Sequence, residues 1–201
     1  MRRKPIVVAV AAIALALAAT AVAGPSNGGF EKGNFNGWER TEPGGGEWTT
    51  YTAADDPPSE PTEGEYAATI FHGEPGLNIL HRKLNYDDGR YLSFQLAYDN
   101  EGVGRFEAPK SFKFNGRDNQ QLRVDLLKAG AKIKSLKNED ILHTIFRTKG
   151  DTPLVSPYEF YFLDLKELGI KGKFQLRFAE VDNVGPWFVG VDQVFQSDTI
   201  P

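Results

Sequence analysis

Lys173-Phe174-Gln175-Leu176-Arg177-Phe178-Ala179 alternates apolar and polar side chains. In an extended chain successive side chains point to opposite faces, so Phe174, Leu176 and Phe178 line one side while Lys173, Gln175 and Arg177 line the other. A helix would scatter the same residues around its circumference. The stretch therefore predicts an antiparallel strand with one face on a core and one toward water. Working outward, the same period recurs in residues 91–98 (Leu92, Phe94, Leu96), in residues 121–126 (Leu122, Val124, Leu126) and briefly in residues 131–134. Residues 65–71, 77–84, 141–147, 158–163 and 187–196 are further strand candidates, with a short one at 48–51. Turn sequences punctuate them: Gly73-Glu74-Pro75-Gly76, Asp87-Asp88-Gly89, Asn115-Gly116, Lys149-Gly150-Asp151 and Gly185-Pro186, the last read as a hairpin tip. One helical turn is expected over residues 164–168, closed by Gly169. Many short strands with almost no helix predict an all-β fold, an antiparallel β-sandwich or barrel.

The chain has 201 residues, 40% of them hydrophobic, enough for one domain with a substantial core. It contains no Cys, which excludes disulfides, thiolate metal sites and Cys nucleophiles. Residues 1–23 have the layout of a secretory signal: Arg2-Arg3-Lys4, an Ala-rich apolar run from Ile6 to Ala19, and Ala21-Val22-Ala23 before Gly24. The expectation is a cleaved signal peptide (1–23) and one exported domain (24–201), periplasmic or extracellular, with no stable membrane insertion after cleavage. Loss of the three leading cations would take the formal charge from −4 to −7, which disfavours nucleic acid as a partner.

Two regions carry a further pattern. Near the start stands Asn27-Gly28-Gly29-Phe30-Glu31-Lys32-Gly33-Asn34-Phe35-Asn36-Gly37-Trp38, and near the end Gly190-Val191-Asp192-Gln193-Val194. Together they resemble secreted bacterial jelly-roll domains of the galactose-binding-like type, including carbohydrate-binding modules; the animal MAM adhesion domain is similar at the same two places. The resemblance implies a jelly-roll β-sandwich. It also implies that Glu31 and Asp192 help to hold a structural Ca²⁺, an ion that takes six to eight oxygen ligands. From the residues alone, both are equally readable as ordinary strand-end carboxylates. Asp55 and Asp56 are further oxygen donors in an acidic loop.

Sugar recognition needs exposed rings flanked by amide, carboxylate or Arg groups. Trp48 follows Gly44-Gly45-Gly46, and Trp187 follows Gly185-Pro186, so both are candidates for display, together with Tyr51. Trp38 is assigned to the core. Catalytic signals are sparse. His72 and His81 flank the Gly73–Gly76 turn with Glu74 near, but no short two-His zinc motif occurs, and no Ser lies in a Gly-x-Ser-x-Gly elbow. The cluster Lys128, Lys132, Lys134 and Lys137 reads as a solvated strand face protecting an edge, or as a contact for an anionic glycan. The sequence thus points to an exported, non-catalytic module for carbohydrate or another surface ligand. A MAM-like adhesion domain and a small extracellular hydrolase are the alternatives.

Overall fold

A computed structural model describes residues 27–100 and 105–200, with backbone alone at Phe71 and His72; the expected signal segment lies outside these residues. The chain forms ten strands: β1 (Glu39–Thr41), β2 (Thr49–Tyr51), β3 (Ala67–His72), β4 (Gly76–Asn85), β5 (Tyr91–Asp99), β6 (Gln121–Lys128), β7 (Ile141–Arg147), β8 (Val155–Asp164), β9 (Lys173–Asp182) and β10 (Trp187–Ser197). They build two antiparallel five-stranded sheets, ordered β1-β4-β9-β6-β7 and β2-β3-β10-β5-β8. The fold is an all-β sandwich. No helix among the described residues is long and apolar enough to cross a membrane.

The alternation of apolar and polar residues decides what fills the space between the sheets. Phe174, Leu176 and Phe178 of β9 meet Leu122, Val124 and Leu126 of β6 on the inner face of the first sheet. Leu92, Phe94 and Leu96 of β5 and Val189 and Val191 of β10 supply the inner face of the second. Phe94 touches Phe178 edge to face at 5.1 Å between ring centres, joining the two sheets. Trp38 enters the same core, stacked on Phe30 at 5.4 Å.

The outer face of the first sheet is buried too: beside an apolar cluster of Leu77, Ile79, Ala179 and Val181 it holds a polar one. Asp125 accepts paired hydrogen bonds from Arg123 (2.9 and 2.8 Å) and a further bond from Arg177. Arg177 also donates to the carbonyls of Ile133 and Ser135 (2.6 and 2.9 Å), and its guanidinium lies 5.1 Å from the centre of the Phe112 ring. Burial alone would raise the Asp125 pKa, but the Arg123 hydrogen bond and the two guanidinium charges hold it below its ordinary value.

Two local expectations are corrected and one is met. Residues 131–134 form turns, not a strand, because the chain leaves β6 to cover Arg177 with its carbonyls; the Lys132, Lys134 and Lys137 side chains therefore sit on a loop. Residues 164–168 do make one helical turn, Leu168 N–H donating to the Asp164 carbonyl at 3.2 Å, and Gly169 closes it in the left-handed region (φ 70°). Gly185-Pro186 is not a hairpin tip: β9 and β10 belong to different sheets, so the turn carries the chain across the sandwich. The turn between β3 and β4 crosses in the same way, which separates His72 and His81 onto different sheets.

Candidate functional site

The rings singled out from the sequence are buried. Trp48 and Trp187 are 0% and 2% exposed, and Tyr51 is 5% exposed. None is displayed as a sugar platform, and local structure explains each. Gly44 bridges to Gly76 with φ 101°, where a Cβ would come within 2.7 Å of the Pro75 carbonyl oxygen. The glycine loop thus folds back against β4 and delivers Trp48 inward, its backbone N–H on the Glu42 carboxylate at 2.7 Å. Trp187 opens a central strand, on the inward parity of Val189 and Val191, and its indole N–H donates to Glu180 at 2.5 Å. Tyr51 lies on the outer face of the second sheet beneath residues 52–66. Its hydroxyl shares hydrogen bonds with Ser59 O and Tyr158 OH, both 2.7 Å.

The displayed rings are on β8 and β10. Paired residues of neighbouring strands share a face, so the register Phe162↔Ser93↔Phe195 puts two phenylalanines on either side of one serine. Phe162 and Phe195 are 42% and 38% exposed while Ser93 is 2% exposed, a small floor between two rings about 10 Å apart at ordinary strand spacing. Phe160, the most exposed of the three at 56%, stands in the next row opposite Gln95. Tyr91 stacks on Phe162 at 5.4 Å, and the Arg90 guanidinium lies 4.9 Å from the centre of the Tyr91 ring while pairing with Asp164. Gln95 Nε2 donates to Gln193 Oε1 at 3.1 Å, which orients an amide pair beside the rings. Gln193 reaches this position through a bulge in β10 between Asp192 and Phe195, with its own φ at 49°. The face can offer stacking surface and amide hydrogen bonds together.

Phe160, Phe162 and Phe195 are not among the rings singled out from the sequence. A signal was present: Tyr158-Glu159-Phe160-Tyr161-Phe162-Leu163 is aromatic or aliphatic at both parities. Tyr161 and Leu163 pack on the core, so the same alternation turns Phe160 and Phe162 toward water.

Glu31 and Asp192, far apart in sequence, do converge. A methyl group placed on Gly29 would lie 3.8 Å from Glu31 Oε1 and 3.9 Å from Asp192 Oδ1. Val194 donates to the Gly28 carbonyl at 3.1 Å, tying the opening segment to the closing strand. Asp192 is fully buried; its Oδ2 accepts from Thr62 N (2.9 Å) and Thr62 Oγ1 (2.7 Å), and its Oδ1 from Gln193 N (2.7 Å). Glu31 Oε2 accepts from Glu65 N at 2.8 Å. Burial, with the Glu31 charge adding to it, pushes the Asp192 carboxyl up to about 6 against the pull of those hydrogen bonds. Two hard carboxylates that repel across a short gap match the donor chemistry of Ca²⁺, and the fit is partial: no third acid joins them among the described residues. Asp55 is not available to the pair, because its carboxylate caps its own turn by accepting from Thr52 N at 2.8 Å. His81 is buried on the outer face of the first sheet, 4.0 Å from Glu39, and burial lowers its pKa; the side chain of His72 lies outside the described residues.

No family model and no curated protein matches the sequence. Solved structures do match the fold. The module TmCBM61 in complex with β-1,4-galactotriose superposes with a TM-score of 0.50 at 13% identity, over 84% of this chain and 93% of that one. A cleaved adhesin domain of Lys-gingipain from Porphyromonas gingivalis gives 0.51 at 10% identity, over 85% and 96%. At such low identity the likeness is one of architecture, and the chain shares the β-sandwich of both.

Proposed function

We propose that this chain is an exported, non-catalytic module, periplasmic or extracellular, that binds a carbohydrate chain along the outer face of its second sheet. The observation that carries the proposal is the row of exposed Phe160, Phe162 and Phe195 around Ser93, with the Gln95–Gln193 amide pair beside it. Pyranose C–H faces stack on such rings, while amides read the hydroxyls. The TmCBM61 structure, which shares the sandwich, holds a galactotriose, and this supports the choice of ligand class. Calorimetric titration with neutral β-linked oligosaccharides tests it. Micromolar to millimolar binding is expected, lost by about tenfold or more when Phe162 and Phe195 are both changed to Ala. Equal affinity in that double variant would reject the face as the site. Failure of every glycan on an array, neutral and acidic alike, would turn the face over to a surface protein, the adhesion reading.

A structural Ca²⁺ belongs to the same proposal. Glu31 and Asp192 would hold it, with backbone carbonyls and water completing the shell. The ion would neutralise their mutual repulsion and join residues 27–31 to β10.

A further inference from the structure

A surface cavity of about 370 Å³ is lined by Arg105, Arg117, Arg147 and Lys149, with Glu107 the one carboxylate among them. The chain as a whole carries 27 acidic residues against 23 basic ones, so four cations around one cavity run against its average. Glu107 is already committed to Arg105 at 2.7 Å. Arg147, on β7, donates one Nη2 bond to the Ala108 carbonyl at 2.7 Å, while its buried Nε has no hydrogen-bond partner. Among the described residues no carboxylate pairs with Arg117, Arg147 or Lys149. Arg147 also lies near Arg123; burial first, then the Arg123 charge, depresses its pKa against the smaller pull of Asp125. Like charges brought together raise the energy of the free protein and favour an anion that enters among them. The Lys128–Lys137 group makes no comparable site, because Lys137 faces Glu139 at 3.5 Å on an open loop.

We infer that this cavity is a subsite for an oxyanion, carboxylate or sulfate, carried on a sugar unit of an acidic polysaccharide. The volume is at the small end of ligand pockets and matches one ring-sized group. Planar guanidinium forks suit the paired oxygens of either anion, and Ala108 and Pro109 give the ring an apolar wall. Arg147 stands opposite Arg123 in the β6–β7 register and shares its outer face of the first sheet, so the cavity is a second contact apart from the aromatic row of the second sheet. It rests on the carbohydrate reading above for its ligand class alone, and narrows that class to acidic chains.

The test is calorimetry on the full chain with a galacturonan hexasaccharide, a neutral β-1,4-galactan hexasaccharide and sodium sulfate. The acidic chain is expected to bind about tenfold or more tighter than the neutral one at about 50 mM salt, and to lose that advantage at about 500 mM. Arg117 and Lys149 are both exposed, so the R117Q/K149Q double variant should fold normally. It is expected to weaken the acidic ligand about tenfold or more and leave the neutral one unchanged. Equal affinity for the two hexasaccharides, or an unaffected double variant, overturns the subsite. Sulfate binding as tightly as the acidic hexasaccharide also overturns it, since the site would then take a free ion. Binding of the acidic chain with no neutral binding would keep the cavity and remove the aromatic face as the primary site.

Discussion

Asp192→Asn isolates a buried carboxyl whose pKa is pushed well above its ordinary value. Asp192 is fully buried, and its pKa rises from 3.8 to about 6, first through burial and then through the charge of Glu31. The folded protein thus holds this proton more tightly than the unfolded chain does. Its contribution to stability is full below about pH 4 and is lost as the pH climbs through 6. The displacement corresponds to roughly 3 kcal/mol between the acid and neutral limits. His81 and His143 act in the opposite sense over part of this range, because burial lowers both, and the native state loses stability as the unfolded chain takes up their protons. A difference between variants removes them. Urea unfolding followed by tryptophan fluorescence, at about pH 4.5 and about pH 7.5, should show the stability of wild type relative to D192N falling by roughly 2 kcal/mol at the higher pH, since part of the effect is already lost at about 4.5. Glu31→Gln should recover only a minor part, since burial is the larger cause. A difference that does not change with pH would refute the reasoning, as would full recovery in E31Q. Calcium at pH 7.5 is expected to raise the melting temperature of wild type and not of D192N. An unchanged wild type would reject the ion and leave the proton linkage intact.

Three further outcomes are expected. Asp125→Ala strands Arg123 and Arg177 in a buried setting and should cost about 3–5 kcal/mol by urea titration; a loss under about 1 kcal/mol would mean that water already reaches the pair. Gly44→Ala forces a side chain into the Pro75 carbonyl at φ 101° and should cost about 2 kcal/mol or more, where a wild-type melting temperature would show that the loop does not hold this turn. Phe160→Ala should leave stability within about 1 kcal/mol, because the ring is more than half exposed; a larger loss would make it a packing residue and weaken the ligand face.

The fold was legible where polarity alternates. Phe174, Leu176 and Phe178 face inward as read, and strands near 77–84, 91–98, 121–126 and 141–147 stand within a few residues of expectation. The three-residue β1 was not legible, because Glu39-Arg40-Thr41 has no apolar parity and is a strand by virtue of pairing with His81, Leu80 and Ile79. The repeat of alternation at residues 131–134 misled, since local pattern carries no information about the buried Arg177 that those carbonyls serve. For the site, convergence of Glu31 and Asp192 was implied by motif resemblance and not by periodicity. Display of the tryptophans was read from neighbouring glycines, yet Gly-rich turns here return the chain to the sandwich. Which rings reach water depends on which residues share an uncovered face of the sheet, and that is set by pairing across more than 60 residues, as between Ser93 and Phe162.

The position of the last two strands has a consequence for how the molecule assembles. β9 lies in the middle of the first sheet, between β4 and β6, and β10 in the middle of the second, between β3 and β5. Until residues 173–197 are in place, β4, β6, β3 and β5 each lack a neighbour on one side. Neither half can be completed from the chain that precedes it. Such long-range pairing makes folding slow, and it delays commitment until nearly all of these residues are free to pair. A chain stopped before Trp187 would present two long unpaired backbone edges, from β3 and β5, as templates for self-association.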